Sequence, residues 1–193
     1  MSAARFYGRV RVVALFACFL WNGFAIACDR AAGVVPFAIV DEQVLILIAD
    51  HKINKARGWA AFGGCAKEGE SLSATALREL HEETRCALNQ ELSITPDTPH
   101  VSFGKFTSFA LEVPFVSEST IQNNQLPSRC RGPVIHERGP WAWVLLSDLL
   151  SHLSKPGGDV PFSDNFLPAA KTRWFWEKSS RVIKALNDLE AFN

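Results

Sequence analysis

The chain has 193 residues, of which 48% are hydrophobic, including fourteen Phe and six Trp, enough for one core of ordinary domain size with some chain to spare. Its twenty basic and twenty acidic residues cancel, which excludes a global electrostatic pull toward nucleic acid or an anionic membrane. A phosphate-bearing ligand would have to be held by a local arrangement of side chains.

Residues 1–27 differ from the rest. Arg5, Arg9 and Arg11 stand without an acid, followed by VVALFACFLW, the break Asn22-Gly23 and FAIA before Cys28. A basic start, a short apolar run and a small-x-small site describe an export signal cleaved after Ala27. An uncleaved anchor and a misassigned start are the alternatives. The apolar run is shorter than the roughly 20 residues of a full span. Cleaved or anchored, the arginines stay inside and the domain, residues 28–193, lies outside. Membrane contact is expected only through residues 1–27. Phe24-Ala25-Ile26-Ala27-Cys28 also loosely matches a lipoprotein cleavage box, with Cys28 as the lipidated residue. The cysteines, Cys18, Cys28, Cys65, Cys86 and Cys130, lack zinc-ligand spacing. An exported chain allows a disulfide that the spacing cannot assign, and Cys65 and Cys86 are expected as small buried thiols.

GVVPFAIV and QVLILIAD predict two strands joined by a hairpin turn at Asp41-Glu42. A polar loop then rises through GWAAFGG to Gly63-Gly64. From Ser71 the period changes: Leu72, Ala76, Leu80 and Ala87, with Leu77 beside them, predict an amphipathic helix capped by Ser71 or Ser73. Phe103 to Val116 reads as an aromatic strand, and Gln122 to Pro140 as a loop carrying Arg129, Arg131 and Arg138. WAWVLL alternates as a strand and leads into a short helix at SDLL. SKPGGDVPFSDNFLP is a loop, and Ala169 to Phe192 a final helix. The order predicts an α/β fold, a mixed sheet with helices on its faces.

On the first helix Glu79, Glu82 and Glu83 stand at i, i+3 and i+4, so their carboxylates share a side. Like charges at that spacing cost a helix about 0.2–0.5 kcal/mol per pair. A hard divalent cation would offset the repulsion, since Mg²⁺ prefers carboxylate oxygens, water and phosphate. Glu70 precedes the helix in a glycine-rich loop. Arg78 is placed to pair with Glu82 or to reach back to Glu70, and the glycines let a main-chain carbonyl, that of Gly63, approach an ion. The competing reading is a solvated face laced with salt bridges to Arg78 and Lys67.

The whole spacing resembles the Nudix box, Gly-x5-Glu-x7-Arg-Glu-U-x-Glu-Glu-x-Gly-U, where U is a bulky aliphatic residue. Gly64, Glu70, Arg78, Glu79, Leu80, Glu82 and Glu83 fall in register. Average residue usage puts a chance match at those places on the order of a few in a million. Arg85 stands where the family has Gly, its helix terminator, and Cys86 where it has an aliphatic residue. The resemblance spans roughly residues 33–153, with Phe62 replacing a common proline.

It implies an α/β/α sandwich and hydrolysis of a nucleoside diphosphate linked to a group X, by water attack at the pyrophosphate with Mg²⁺ or Mn²⁺. Carried over by position, Glu82 and Glu83 are the principal metal ligands and Glu79 is a ligand or the general base. Glu70 and the Gly63 carbonyl are accessory ligands, and Arg78 orients a glutamate. Family members recruit a further acid before a late strand. Glu137 is the candidate, with Glu112 and Glu118 behind it. Trp141, Trp143, Trp174 and Trp176 are candidates to stack a base but are more usually core. Arg129, Arg131 and Arg138 are candidates for a second phosphate, though a solvated loop is the stronger reading. The implied partner is a small nucleotide derivative rather than nucleic acid. The second functional reading is a Nudix-fold module that binds a nucleotide without cleaving it.

Overall fold

A computed structural model of the chain describes residues 28–52, 58–88, 91–125, 137–153, 160–161 and 174–193. The expected export segment, Arg129 and Arg131 therefore lie outside the described residues. Strands β1 (Ala31–Val40) and β2 (Gln43–His51) pair antiparallel. Asp41 and Glu42 between them both have left-handed backbone, with φ of 48° and 64°. Such a two-residue turn matches the twist of its strands.

The short strands β3 (Trp59–Ala60) and β4 (Phe62–Cys65) follow, β3 against the end of β2 and β4 antiparallel to the start of β1. The aromatic segment expected as a strand contains one, and a second strand just before it completes a hairpin. Gly104, at φ 60°, reverses the chain between β5 (His100–Phe103) and β6 (Phe106–Glu112). Strand β6 runs parallel to β1, and β7 (Arg138–Leu145) antiparallel to β2. With β8 (Val160–Pro161) and β9 (Trp174–Phe175), the described strands form one mixed sheet ordered β5-β6-β1-β2-β3-β9-β8, with β4 also on β1 and β7 on β2.

The two central strands are buried on both faces, so their side chains divide between two cores with a period of two. Ile46 and Ile48 face one core, Leu47 and Ala49 the other. The first core is closed by α3 (Leu146–Leu153) through Leu149 and Leu153, and by α4 (Glu177–Asp188) through Val182, Ile183 and Leu186. The second is closed by α1 (Leu72–Glu83) through Ala76 and Leu80, and by Ile121 of α2 (Glu118–Asn123). This is the expected α/β/α sandwich. Helix α2 lies in part within what reads as loop, because six residues carry too little periodicity to declare it. The last helix begins at Glu177 rather than near Ala169, since Trp174 and Phe175 extend the sheet at β9.

Both ends of α1 are specified locally. Ser71 caps the start, its Oγ accepting the Ala74 N–H at 3.1 Å. At the other end Cys86 N–H donates to the His81 carbonyl at 2.7 Å and Arg85 N–H to that of Glu82 at 3.2 Å. That pair of bonds is a Schellman terminus. Arg85 takes the glycine's left-handed conformation, φ 54°, and Cys86 follows at 53°. Asn124 steadies the turn, its Nδ2 donating to the Arg85 carbonyl at 2.7 Å.

Candidate functional site

Arg78 sits at the centre of the glutamates. Its Nε donates to Glu70 Oε1 at 2.9 Å and its Nη2 to Glu70 Oε2 at 3.1 Å. Nη1 reaches Glu79 at 2.6 Å and Glu82 at 2.9 Å, while Nη2 also donates to the Cys65 carbonyl at 2.8 Å. The sequence left Glu70 and Glu82 as alternative partners; one guanidinium serves both, because its donors fan out in a plane. The hydrogen bond from Arg78 is the largest reason that Glu70 is held down to about 2, with burial opposing it and the Lys67 amide and Thr75 hydroxyl assisting. Reciprocally, Glu70 and then Glu79 raise Arg78 above its usual value.

Glu83 points inward and is 4% exposed, so a fully solvated face does not describe this helix. Its Oε2 accepts the Gly63 N–H at 2.9 Å. Its Oε1 lies 3.4 Å from Nε of Arg138, itself 1% exposed. Arg138 Nη2 also donates to the carbonyls of Ala60 and Ala61, and the guanidinium carbon stands 5.4 Å from the Phe62 ring centre. Far from being a solvated loop residue, Arg138 starts β7 and ties it to β3 and β4. Burial drives the Glu83 carboxyl up to about 7, against the pull of Arg138 and the Gly63 N–H. Glu79 is raised for the same leading reason, burial, with Arg78 opposing.

Glu137 adds to both shifts. Its charge is the last of the causes that raise Glu79 and Glu83, and its main-chain carbonyl accepts the Lys52 N–H at 2.9 Å. The reserve candidates differ in contacts and exposure. Glu118 accepts the Trp143 amide at 3.1 Å, and Glu112 is exposed at the end of β6. Lys67 is 66% exposed and 3.8 Å from Glu82, an ordinary surface pair.

The glycines explain how carboxylates approach so closely. A Cβ on Gly64 would lie 2.5 Å from the Glu79 carboxyl, so the bare backbone opens the space that Glu79 fills. On Gly63, at φ 152°, a Cβ would stand 2.9 Å from the end of the Phe106 ring, and one on Gly33 would meet the same atom at 2.9 Å. The end of the Phe106 ring thus lies against β1 and β4. There it borders a cavity of about 460 Å³ lined by Gly63, Gly64, His51, Trp176, Lys178 and Arg181, among others.

A family model described as NUDIX domain matches residues 29–169. The chain belongs to the Nudix family. Among solved structures, a Caenorhabditis elegans Ap4A hydrolase in a binary complex is similar at 16% identity and a TM-score of 0.50, over 84% of this chain and 98% of that one. A MutT structure from work on Aliivibrio salmonicida and Vibrio cholerae is 21% identical over 63% of this chain and 83% of its own, with a TM-score of 0.37. Shewanella oneidensis NrtR is 20% identical over 66% and 56%, with a TM-score of 0.38. No curated protein matches the chain.

In this Nudix domain the box glutamates are neutralised by protein cations. Among the described residues, no three His, Cys, Asp or Glu side chains converge as a metal cluster; Arg78 and Arg138 hold the carboxylates instead. The donor set is nevertheless what a hard divalent ion takes. Glu79 beside Gly64 and Glu83 on the Gly63 N–H offer oxygen, as do Glu70 and Glu82 on Arg78.

The cysteines correct the sequence reading. Cys65 is not a free thiol but is bonded to Cys28, with Cα atoms 5.6 Å apart. Cys86 is disulfide-bonded too, although buried as expected. A lipidated Cys28 is incompatible with the Cys28–Cys65 bond. Among the tryptophans, Trp141 is core, with Nε1 donating to the Glu83 carbonyl at 2.9 Å. Trp143 packs on Phe115 at 5.3 Å, and the side chain of Trp174 lies outside what is described. Trp176 lines the cavity.

Proposed function

We propose that this chain is a divalent-metal-dependent pyrophosphohydrolase that cleaves a nucleoside diphosphate linked to another group X. The observation that carries the reading is the placing of Glu79 against Gly64 and of Glu83 on the Gly63 N–H, with Glu70, Glu79 and Glu82 fastened to the same Arg78. Glu82 and Glu83 would be the principal holders of Mg²⁺ or Mn²⁺, with Glu70, Glu79, Glu137 and the Gly63 carbonyl completing the set. When bound, such an ion polarises phosphoryl oxygens and acidifies the attacking water.

The protein's own part is positioning. Arg78 fixes the directions of Glu70, Glu79 and Glu82, so that few rotamers need to be frozen when substrate arrives. Glu79, raised by burial, is a better proton acceptor than an ordinary carboxylate and is the candidate to take a proton from water. The Glu83 bond to the Gly63 N–H fixes the Phe62–Gly63 peptide against α1. The basic and apolar start of the chain supports action outside the cytoplasm.

A non-catalytic nucleotide sensor is the second reading, disfavoured because every box carboxylate is present. Turnover decides between them. Purified protein with Mg²⁺ is offered ADP-ribose, NADH, dinucleoside polyphosphates and nucleoside triphosphates. Cleavage of at least one is expected, falling about 100-fold or more in Glu82→Gln or Glu83→Gln. Tight binding without cleavage of any would establish the sensor.

A further inference from the structure

Among the described strands, β5 ends the sheet and has only β6 beside it. The Ala110 N–H donates to the Pro99 carbonyl at 2.9 Å, in the antiparallel register that sets His100 opposite Phe109. Backbone groups alternate in direction along a strand, so those of Val101 and Phe103 address β6 as Pro99 does. The N–H and C=O of His100 and Ser102 therefore point to the open edge.

Edge strands are usually blunted by a lysine, an outward proline, a bulge or a covering segment. β5 reads His-Val-Ser-Phe, and its register to β6 is unbroken from residue 100 to 103. Its polar side chains turn away from the edge. The His100 ring lies 5.4 Å from that of Phe109, with Nδ1 3.0 Å from the Thr98 carbonyl. Ser102 Oγ lies 2.8 Å from the Thr107 hydroxyl, back on β6.

We propose that this edge pairs with the same edge of a second copy of the chain, joining two sheets through antiparallel β5 strands about a two-fold axis at Val101. The edge is complementary to itself in that register. His100 of each copy faces Ser102 of the other, and the two exchange both backbone bonds. One step out, Phe103, which is 48% exposed, comes opposite Pro99, also exposed. Beyond them the turn holding Asp97 lies beside the turn holding Lys105 of the second copy. Asp97 is exposed, and Lys105 is 68% exposed, with a 3.6 Å contact to the still more exposed Asp29. Opposite charges thus meet twice across the axis. A chain of zero formal net charge has no overall repulsion to oppose the contact. Four residues bury little area, so the dimer is a weak one that dissociates on dilution.

Sedimentation velocity of the full chain, diluted in steps from about 100 µM, tests it. Dimer is expected at the top of the series and monomer at the bottom. Ser102→Pro removes an outward N–H without breaking a bond to β6, and should weaken the dimer about tenfold or more. Asp97→Lys and Lys105→Asp should each weaken self-association about tenfold, because like charges then meet twice. Mixing these two variants in equal amounts should restore a dimer, since both contacts across the axis are again of opposite sign. A wild-type chain that stays monomeric throughout overturns the proposal. So does association that Ser102→Pro leaves unchanged, or a mixture of the two charge variants that associates no better than either alone. The charge variants, both in exposed turns, decide by themselves if Ser102→Pro does not fold.

Discussion

The two sides of the Gly63-Gly64 strand solve different physical problems. On the α1 side, anionic groups are brought together against their repulsion and held by Arg78 and Arg138. On the α4 side, aromatic rings border a space kept open, with cations at its edge. Glycine serves both, admitting the Glu79 carboxylate on one side and the Phe106 ring on the other. The carboxylates and the cavity are thus separated by the thickness of a backbone, and a change on one side should leave the other largely intact.

Arg138→Ala would break the glutamate side most severely. It leaves Glu83 buried without its cation, which costs about 3–5 kcal/mol, read as a shifted denaturant midpoint. Arg138→Lys should recover only part of this, because an ammonium cannot span Glu83 and the carbonyls of Ala60 and Ala61. An unchanged midpoint in Arg138→Ala would show that the buried pair does not hold the site together.

The Cys28–Cys65 bond belongs to the cavity side, whose lining includes both residues, and closes a sequence separation of 37. Chain entropy assigns such a loop about 4 kcal/mol of stabilisation. Cys28→Ser/Cys65→Ser should lose up to that much in the same unfolding measurement. Wild-type stability in this variant would mean that the terminal segment is not stapled.

Acidity sharpens the contrast by its sign. Glu83 is raised from 4.5 to about 7, so between those values the folded form holds a proton that the unfolded form has lost. Metal-free protein should therefore lose stability as pH rises through that window, by on the order of 2 kcal/mol. Glu79 acts in the same direction. Glu70 acts oppositely: depressed from 4.5 to about 2, it stabilises above 4.5 and loses that contribution as pH falls toward 2. Urea melts from pH 3 to 8 without metal should peak near the lower part of the 4.5–7 window, and Glu83→Gln should flatten the fall above it. A fall that persists unaltered in that variant would locate the proton elsewhere.

The smallest expected effect is at the helix end. Arg85→Gly removes the left-handed strain of a side chain at φ 54° and should raise stability by about 1 kcal/mol. Asn124 keeps its bond to the residue 85 carbonyl in either case. A decrease would mean that the Arg85 side chain, not its backbone, secures the turn.

Regular pattern was legible where it was local. The hairpin at Asp41-Glu42, the Ser71 cap, the amphipathic α1 and the alternation of WAWVLL follow from periods of two and about three and a half that burial imposes on neighbouring residues. The aromatic strand was legible as well, but not its hairpin partner at residues 100–103, because only Gly104 marks the reversal and one glycine is a weak signal. Trp174 sits close to a helix in sequence yet pairs in the sheet, a matter of long-range partners. Arg138 looked like Arg129 and Arg131, charges in a polar loop, because a cation's burial depends on a distant carboxylate.

What the residues determined by themselves was the charge spacing of one helix and the glycines before it, since contacts three and four residues apart are fixed by helical geometry. What only the folded chain decided was that Glu83 turns inward onto Arg138, that Cys28 finds Cys65, and that Phe106 and Trp176 border one cavity. Each joins groups distant along the chain, and no local period encodes which strands will meet.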